Sequence, residues 1–243
     1  MNLLIDAGNS RVKWALDGPG IWKTRASSRA EFAQSLEDSV GDSSKINSII
    51  ISSTRNPAYN QQLSVLLAEL FDVEPFFIES QRREFGVINR YQPHSALGVD
   101  RWAGLIAVRS LGTSPAIVID AGTAVTVDAL SADGMFEGGV IFPGISLASQ
   151  SLDQADNLSV AKFVSPTVFA LSTAEAMYSG VLYSIAAGID GIVVQMRKTL
   201  GYSVNVYLCG GDADSLIELL EHNVIKEPEL VLKGLKVIAD SRT

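Results

Sequence analysis

The stretch I-D-A-G-T-A-V-T-V-D-A-L, Ile119 to Leu130, decides the fold, because the chain carries a near copy of it half a length earlier as I-D-A-G-N-S-R-V-K-W-A-L, Ile5 to Leu16. Laid over one another without gaps, Leu3–Leu16 and Ile117–Leu130 agree at Ile5/Ile119, Asp6/Asp120, Ala7/Ala121, Gly8/Gly122, Ala15/Ala129 and Leu16/Leu130. In each copy an apolar strand ends in Asp-x-Gly, and small or hydroxyl residues lead into a second strand. Such a turn suits phosphate. Glycine lets backbone approach a ligand, the following N–H groups can point into it, and the carboxylate can hold a cation or its waters. One such turn alone is ordinary β-turn chemistry. Two of them, opening two halves built alike, point to a duplicated architecture.

Both halves read strand–turn–strand–strand before their helices and later strands, which places domains at 1–114 and 115–243. In the first, Ile21–Thr24 follows the Asp17–Gly20 turn, and a helix is expected near Arg29 to Val40. The strand Ile49–Ile51, a helix from Pro57 to Phe71 with Leu63, Leu66, Leu67 and Leu70 on one face, and a strand over Val73–Ile78 come next. Gln81 to Leu97 has no clean period and reads as a long loop of the kind that carries ligand contacts. A helix from Asp100 to Leu111 stops at Gly112. In the second half, Ser172-Thr173-Ala174-Glu175 resembles a capping box opening a helix to Leu200. A strand over Val204–Leu208 ends at Cys209-Gly210-Gly211-Asp212, and the segment from Ser215 to Lys236 reads as mostly helix with an extended patch near Leu230.

Composition narrows the function. The 243 residues are 47% hydrophobic and 19% charged, which is globular rather than disordered. A net charge of −8 argues against nucleic acid as the main partner, because phosphate backbones select basic surfaces. The single Cys209 excludes an intramolecular disulfide, and His94 and His222 leave little for a zinc site. The N-terminus lacks a basic leader region, and no run of about 18 apolar residues is evident to span a bilayer. The expectation is a soluble, cytoplasmic protein with no membrane partner. No G-x-x-x-x-G-K-[ST] is present, so a P-loop kinase is excluded.

Two phosphate turns in two similar halves resemble the actin, Hsp70 and sugar kinase superfamily. That resemblance implies an α/β fold of two duplicated ribonuclease H-like domains with an ATP cleft between them. Gly210-Gly211 fits the late glycine pair that lies against adenosine there. G-V-D-R-W (Gly98–Trp102), with its lead-in from Tyr91, Pro93 and Leu97, and G-G-V-I-F-P-G (Gly138–Gly144) narrow it further. Combined with D-A-G-N-S-R-V-K and D-A-G-T-A-V-T-V-D, they resemble the type III pantothenate kinase family, related to the Bvg accessory factors. One departure is visible: the first motif usually ends in threonine where Ser10 stands, and serine keeps the hydroxyl and amide.

The resemblance implies an enzyme that phosphorylates pantothenate with ATP, the first step toward coenzyme A. It implies that Asp6, Ala7, Gly8, Asn9, Ser10, Arg11, Val12 and Lys13 cradle the ATP phosphates, with Asp6 near magnesium and Thr123 on the other side. Asp120 is associated with a monovalent cation, K+ or NH4+. Tyr91, Gly98, Val99, Asp100 and Arg101 would contact pantothenate, with Asp100 as the general base. Thr173 matches a substrate-contacting threonine supplied by a partner subunit, hence a homodimer. Plainer roles stand beside these: Asp100 or Thr173 as helix caps, Arg101 as a surface or salt-bridge residue, and Asp128 as a strand-end acid. Gly180, Ser184 and Gly188 recur every four residues, as either a subunit interface or an internal helix crossing. A kinase for another small alcohol and a non-catalytic regulatory protein are the rival functions.

Overall fold

The computed structural model describes residues 1–40, 45–156 and 165–242. It divides into two compact units, one formed by Met1–Thr113 together with the chain from Glu229 on, the other by Ser114–Pro228. Each is described by itself.

The first unit has strands β1 (Asn2–Ala7), β2 (Arg11–Gly18), β3 (Ile21–Ser28), β4 (Ser48–Ser53) and β5 (Phe76–Phe77) in the order β3-β2-β1-β4-β5. The β1–β2 and β2–β3 pairs are antiparallel, and β1–β4 and β4–β5 are parallel. Helices α1 (Phe32–Val40) and α2 (Pro57–Phe71) contribute Phe32, Leu36, Leu63, Leu67 and Phe71 to a core with Leu3, Ile5, Trp14 and Ile51. Trp14 meets Phe32 edge-on at 5.3 Å between ring centroids, a favoured aromatic geometry. The alternate residues Leu4, Ala15 and Ile50 are equally buried. That face lies against α3 (Val99–Leu111) and α7 (Leu230–Asp240), which pack on each other. A strand covered on both faces has no polar alternation, which is why Leu3-Leu4-Ile5 is apolar throughout.

The second unit repeats the plan. Strands β8 (Ala116–Ala121), β9 (Ala124–Leu130), β10 (Phe136–Pro143), β11 (Asn205–Cys209) and β12 (Ile225–Lys226) are ordered β10-β9-β8-β11-β12, with the same mixture of antiparallel and parallel pairs. Helix α5 (Thr173–Leu200) places Leu182, Ile185, Ile189 and Val193 against Ile117, Ile119 and Leu208. By length and composition α5 alone among the described helices could cross a membrane, contrary to the expectation that no such segment exists. Its apolar face is spent on this core.

Several expectations need correction. The final segment, placed by sequence in the second half, returns to the first unit. Glu229 accepts from Trp22 Nε1 at 2.7 Å and from Thr24 Oγ1, and Lys236 Nζ lies 2.9 Å from Oδ1 of the buried Asp17. The extended patch expected near Leu230 is β12, and Leu230 opens α7. The strand over Val73–Ile78 is reduced to β5. The loop from Gln81 to Leu97 contains a small hairpin, β6 (Arg83–Glu84) with β7 (Val87–Ile88), and a 3-10 turn at His94–Ala96. Helices α4 (Ile145–Asp156) and α6 (Ala213–Leu216) complete the second unit; α4 lacks a strong sequence signal. Among the described residues the Gly180, Ser184, Gly188 stripe forms no internal crossing. Gly180 and Ser184 are exposed, and a Cβ at either glycine would meet no described atom within 4 Å.

The α3–α7 contact is closest at Gly234, where a Cβ would overlap the Ala103 carbonyl. Gly234→Ala should gain about 1 kcal/mol of helix propensity but lose about 1–3 kcal/mol or more to overpacking. A net loss in urea unfolding is expected, and a stabilised variant would contradict this packing.

Candidate active site

The first Asp-x-Gly turn lies where β1 and β2 emerge from the core. Gly8 N–H donates to Arg11 O at 3.1 Å and closes the turn, leaving Asn9, Ser10 and Arg11 exposed at its apex while Ala7 and Val12 are buried below. Sheet register sets Lys13 opposite Asp6 on one side and Ser52 opposite Asp6 on the other. Paired residues on neighbouring strands share a face, so Lys13, Asp6 and Ser52 form a polar row across three strands. Ser52 is fully buried and its Oγ has no hydrogen-bond partner. A buried hydroxyl left unpaired is costly, and the carboxylate of Asp6 stands next to it in the row. Magnesium usually takes one or two carboxylates and completes its shell with water and phosphate oxygens.

The second turn is built differently. Gly122 N–H donates to Ala124 O at 3.1 Å, and three residues rather than four separate the last paired positions, Ala121 and Val125. Register therefore puts Thr126 opposite Asp120, as Lys13 is opposite Asp6. The ungapped sequence match slips by one residue beyond the turn, and its identities Ala15/Ala129 and Leu16/Leu130 are not structural equivalents. Ala15 corresponds to Asp128, which is buried inside β9 rather than a strand-end acid. Thr126 Oγ1 is buried without a partner. An oxygen so placed, beside a carboxylate, fits the ligand chemistry of a hard monovalent cation.

Glycines hold this second turn from two sides. Gly144 N–H donates to Thr123 O at 3.1 Å, and a Cβ there would overlap Gly122 O. Gly210 has φ +98° and presses on the Ala121 backbone, while Asp212 N–H donates to Ala121 O at 2.8 Å. Gly210 is thus required by the fold, whereas Gly211 faces open space.

The G-V-D-R segment opens α3. Gly98 is the N-terminal boundary residue, and its carbonyl accepts from Trp102 N–H at 2.9 Å. Asp100 is therefore inside the first turn and is not the cap. Its Oδ1 accepts from Arg101 N–H at 2.7 Å, and a Cβ at Gly98 would stand 2.6 Å from that oxygen. Burial pushes the Asp100 carboxyl above its ordinary value, opposed by the Arg101 amide and the Arg101 charge. Arg101 is 9% exposed and is no surface residue. Its Nη1 donates to Tyr91 Oη at 3.2 Å, and its guanidinium lies 5.6 Å from the Tyr91 ring centroid. Tyr91, Asp100 and Arg101 thus form one cluster in the first unit.

Sequence reasoning missed the side chains that hold this cluster's loop. The buried Asn89 accepts from Tyr91 N–H and donates to His94 O, both at 3.0 Å, and the buried Ser80 donates to Leu97 O at 2.8 Å. Isolated polar residues in an aperiodic segment carry no signal that would have marked them. In the second unit Thr173 begins α5 and is exposed, and the cap is Ser172, which accepts from Glu175 N–H at 3.2 Å. Glu175 returns a bond to Leu171 N–H at 2.8 Å, one residue before the position a full capping box would use.

Known proteins share this fold. The fold is similar to a Baf family protein of Campylobacter jejuni, with a TM-score of 0.64 and 24% identity over 99% of this chain and 98% of that one. It is also similar to a 2-dehydro-3-deoxygalactonokinase protein of Sinorhizobium meliloti, with a TM-score of 0.59 and 15% identity over 100% and 99% of the two chains. Likeness at these identities supports the duplicated ribonuclease H-like fold. Type III pantothenate kinases of Thiobacillus denitrificans and Nitrosospira multiformis are 35% and 36% identical, each over 98% of this chain and over 96% and 90% of their own lengths. The model of the type III pantothenate kinase family matches residues 2–195. With its two Asp-x-Gly turns and the Gly98–Trp102 segment in place, the chain belongs to the type III pantothenate kinase family.

Proposed function

We propose that the protein transfers the γ-phosphoryl group of ATP to the primary hydroxyl of pantothenate, giving 4′-phosphopantothenate, with Asp100 as general base. The observation that carries the assignment of the base is the Asp100 carboxyl itself, held at the start of α3 beside the Arg101–Tyr91 pair with a raised proton affinity. Phosphoryl transfer asks a protein mainly for positioning and charge neutralisation. The amides of the first turn and Lys13 serve the phosphates, and Thr123 and the Gly210–Gly211 pair serve the nucleotide. Arg101 and Tyr91 orient pantothenate, whose carboxylate suits a guanidinium. Asp100 orients the acceptor hydroxyl and takes its proton as the new O–P bond forms.

Asp6 would hold magnesium, and Asp120 with Thr126 would hold potassium or ammonium. Such cations would supply neutralisation of phosphate charge. Thr173, exposed at the start of α5, acts across a homodimer, and the enzyme works in the cytoplasm. The outward stripe at Gly180 and Ser184 supports a subunit contact on the same helix.

The direct test is ADP release over a panel of small alcohols with and without potassium. Turnover confined to pantothenate is expected, and turnover only with another alcohol would remove this assignment. Asp100→Asn should cut turnover by at least about 10²-fold, the usual reach of a general base. Because the folded-state pKa of Asp100 is raised, stability falls as pH climbs from the ordinary carboxylate range through that pKa, and the ionised form costs stability above it. Asp100→Asn is therefore expected to melt at the same or a higher temperature at neutral pH, while wild-type kcat declines as acid protonates Asp100. Near-normal turnover, or a collapsed fold, would contradict the role. Thr126→Val should leave the cation-free protein as stable or more so, since it removes an unpaired buried hydroxyl, and should diminish the melting-temperature rise that potassium produces. An undiminished potassium shift would exclude Thr126 as a ligand.

A further inference from the structure

The Asp6–Lys13 turn has a cationic neighbour that no motif marks. Arg55, in the connection from β4 to α2, donates from Nη1 to Asn9 Oδ1 at 2.6 Å. Its guanidinium also lies 5.4 Å from the Tyr59 ring centroid. Neither partner carries negative charge, although the chain as a whole has an excess of acids. Arg55 Nε is buried and donates to nothing. A guanidinium whose partners are all neutral keeps its charge for a bound anion. Burial pushes the Tyr59 phenol above its ordinary value, and the charges of Arg29 and Arg55 oppose it.

The connection that carries Arg55 is ordered by its own side chains. Arg55 N–H donates to Ser53 Oγ at 3.3 Å, and Ser53 Oγ donates to Asn60 Oδ1 at 2.6 Å. Asn56 caps α2 by accepting from Tyr59 N–H at 2.9 Å, and Pro57 occupies the first turn, where a missing N–H costs nothing. The guanidinium is thus fixed beside the apex of the turn before any ligand arrives, and a planar fork of donors matches phosphate oxygens.

We propose that Arg55 is a phosphate-binding residue of this enzyme, clamping the polyphosphate of the nucleotide from the Asn9 side of the first turn. The assignment rests on that turn being the nucleotide cradle. It adds to the turn a cation from a different part of the chain, with Asn9 as its tether.

The test is the ATP dissociation constant of the full-length protein, measured calorimetrically without pantothenate at low and high salt, with steady-state kinetics alongside. Arg55→Met should weaken ATP binding by about 10–100-fold, the range set by a charged hydrogen bond. It should flatten the salt dependence and leave the pantothenate KM unchanged. Arg55→Lys, which keeps charge and stem but not the fork, should recover part of the loss. A purely structural arginine would instead lower the melting temperature and disturb both substrates. ATP affinity in Arg55→Met within about threefold of wild type, below 1 kcal/mol, overturns the proposal. If Arg55→Met fails to fold, Arg55→Lys decides: weaker ATP binding with an unchanged pantothenate KM supports the role, and wild-type ATP affinity overturns it. Lys13→Met separates the two assignments. ATP binding that depends on Lys13 but not on Arg55 removes Arg55 alone, whereas binding indifferent to Lys13 removes the cradle.

Discussion

Burial of the first strand of each sheet on both faces is the constraint from which the rest follows. Leu3, Leu4 and Ile5 are wholly inaccessible, as are Ile117 and Ile119 in the second unit. An acid inside such a strand would face a desolvation cost of several kcal/mol. The position where a carboxylate becomes tolerable is the strand's C-terminal end, where Asp6 and Asp120 are half-buried. The carboxylates of β1 and β8 are thereby confined to the strand end where turns expose backbone amides. The placement follows the general tendency of such sheets to bind ligands at the carboxyl ends of their strands.

The two turns share an origin in form but not their surroundings. Asp6 has Lys13 and Ser52 as cross-strand neighbours, whereas Asp120 has Thr126 and Cys209. A positive charge stands in the first row and a neutral hydroxyl in its place in the second. This difference comes from a turn shorter by one residue, because a single deletion changes which side chain meets the aspartate. The first row sets a cation beside its carboxylate, the second a neutral hydroxyl. Deeper in the first unit, α7 seals the other face of the sheet and presses Gly234 against α3, the helix whose first turn carries Asp100. Packing at Ala103 and the hydrogen bond from Arg101 N–H, both near the start of α3, set the position of that carboxylate.

Much of the site was legible because its signals are local. Asp-x-Gly after an apolar run, Gly98 ahead of Asp100 and Gly144 after a strand each state a backbone requirement within a few residues. What escaped was non-local. Arg101 reads as a misplaced cation in a helix's first turn until Tyr91 is found beneath it. Arg55 sits in an unremarkable Ser-Thr-Arg-Asn-Pro connection, and only the fold brings it to Asn9. Ser52 and Thr126 look like ordinary strand residues, since an unpaired hydroxyl is visible only after every neighbour is in place.

The sequence by itself determined the duplication, the two aspartate turns, the class of chemistry and the kinase family, because repeated short motifs record constraints on adjacent residues. Tertiary structure alone decided where the last helix belongs. Glu229 bonding to Trp22 and Thr24, and Lys236 reaching Asp17, join residues from opposite ends of the chain. It also decided which residue stands across from each aspartate. Strand register is a property of paired chains, and no single strand contains it.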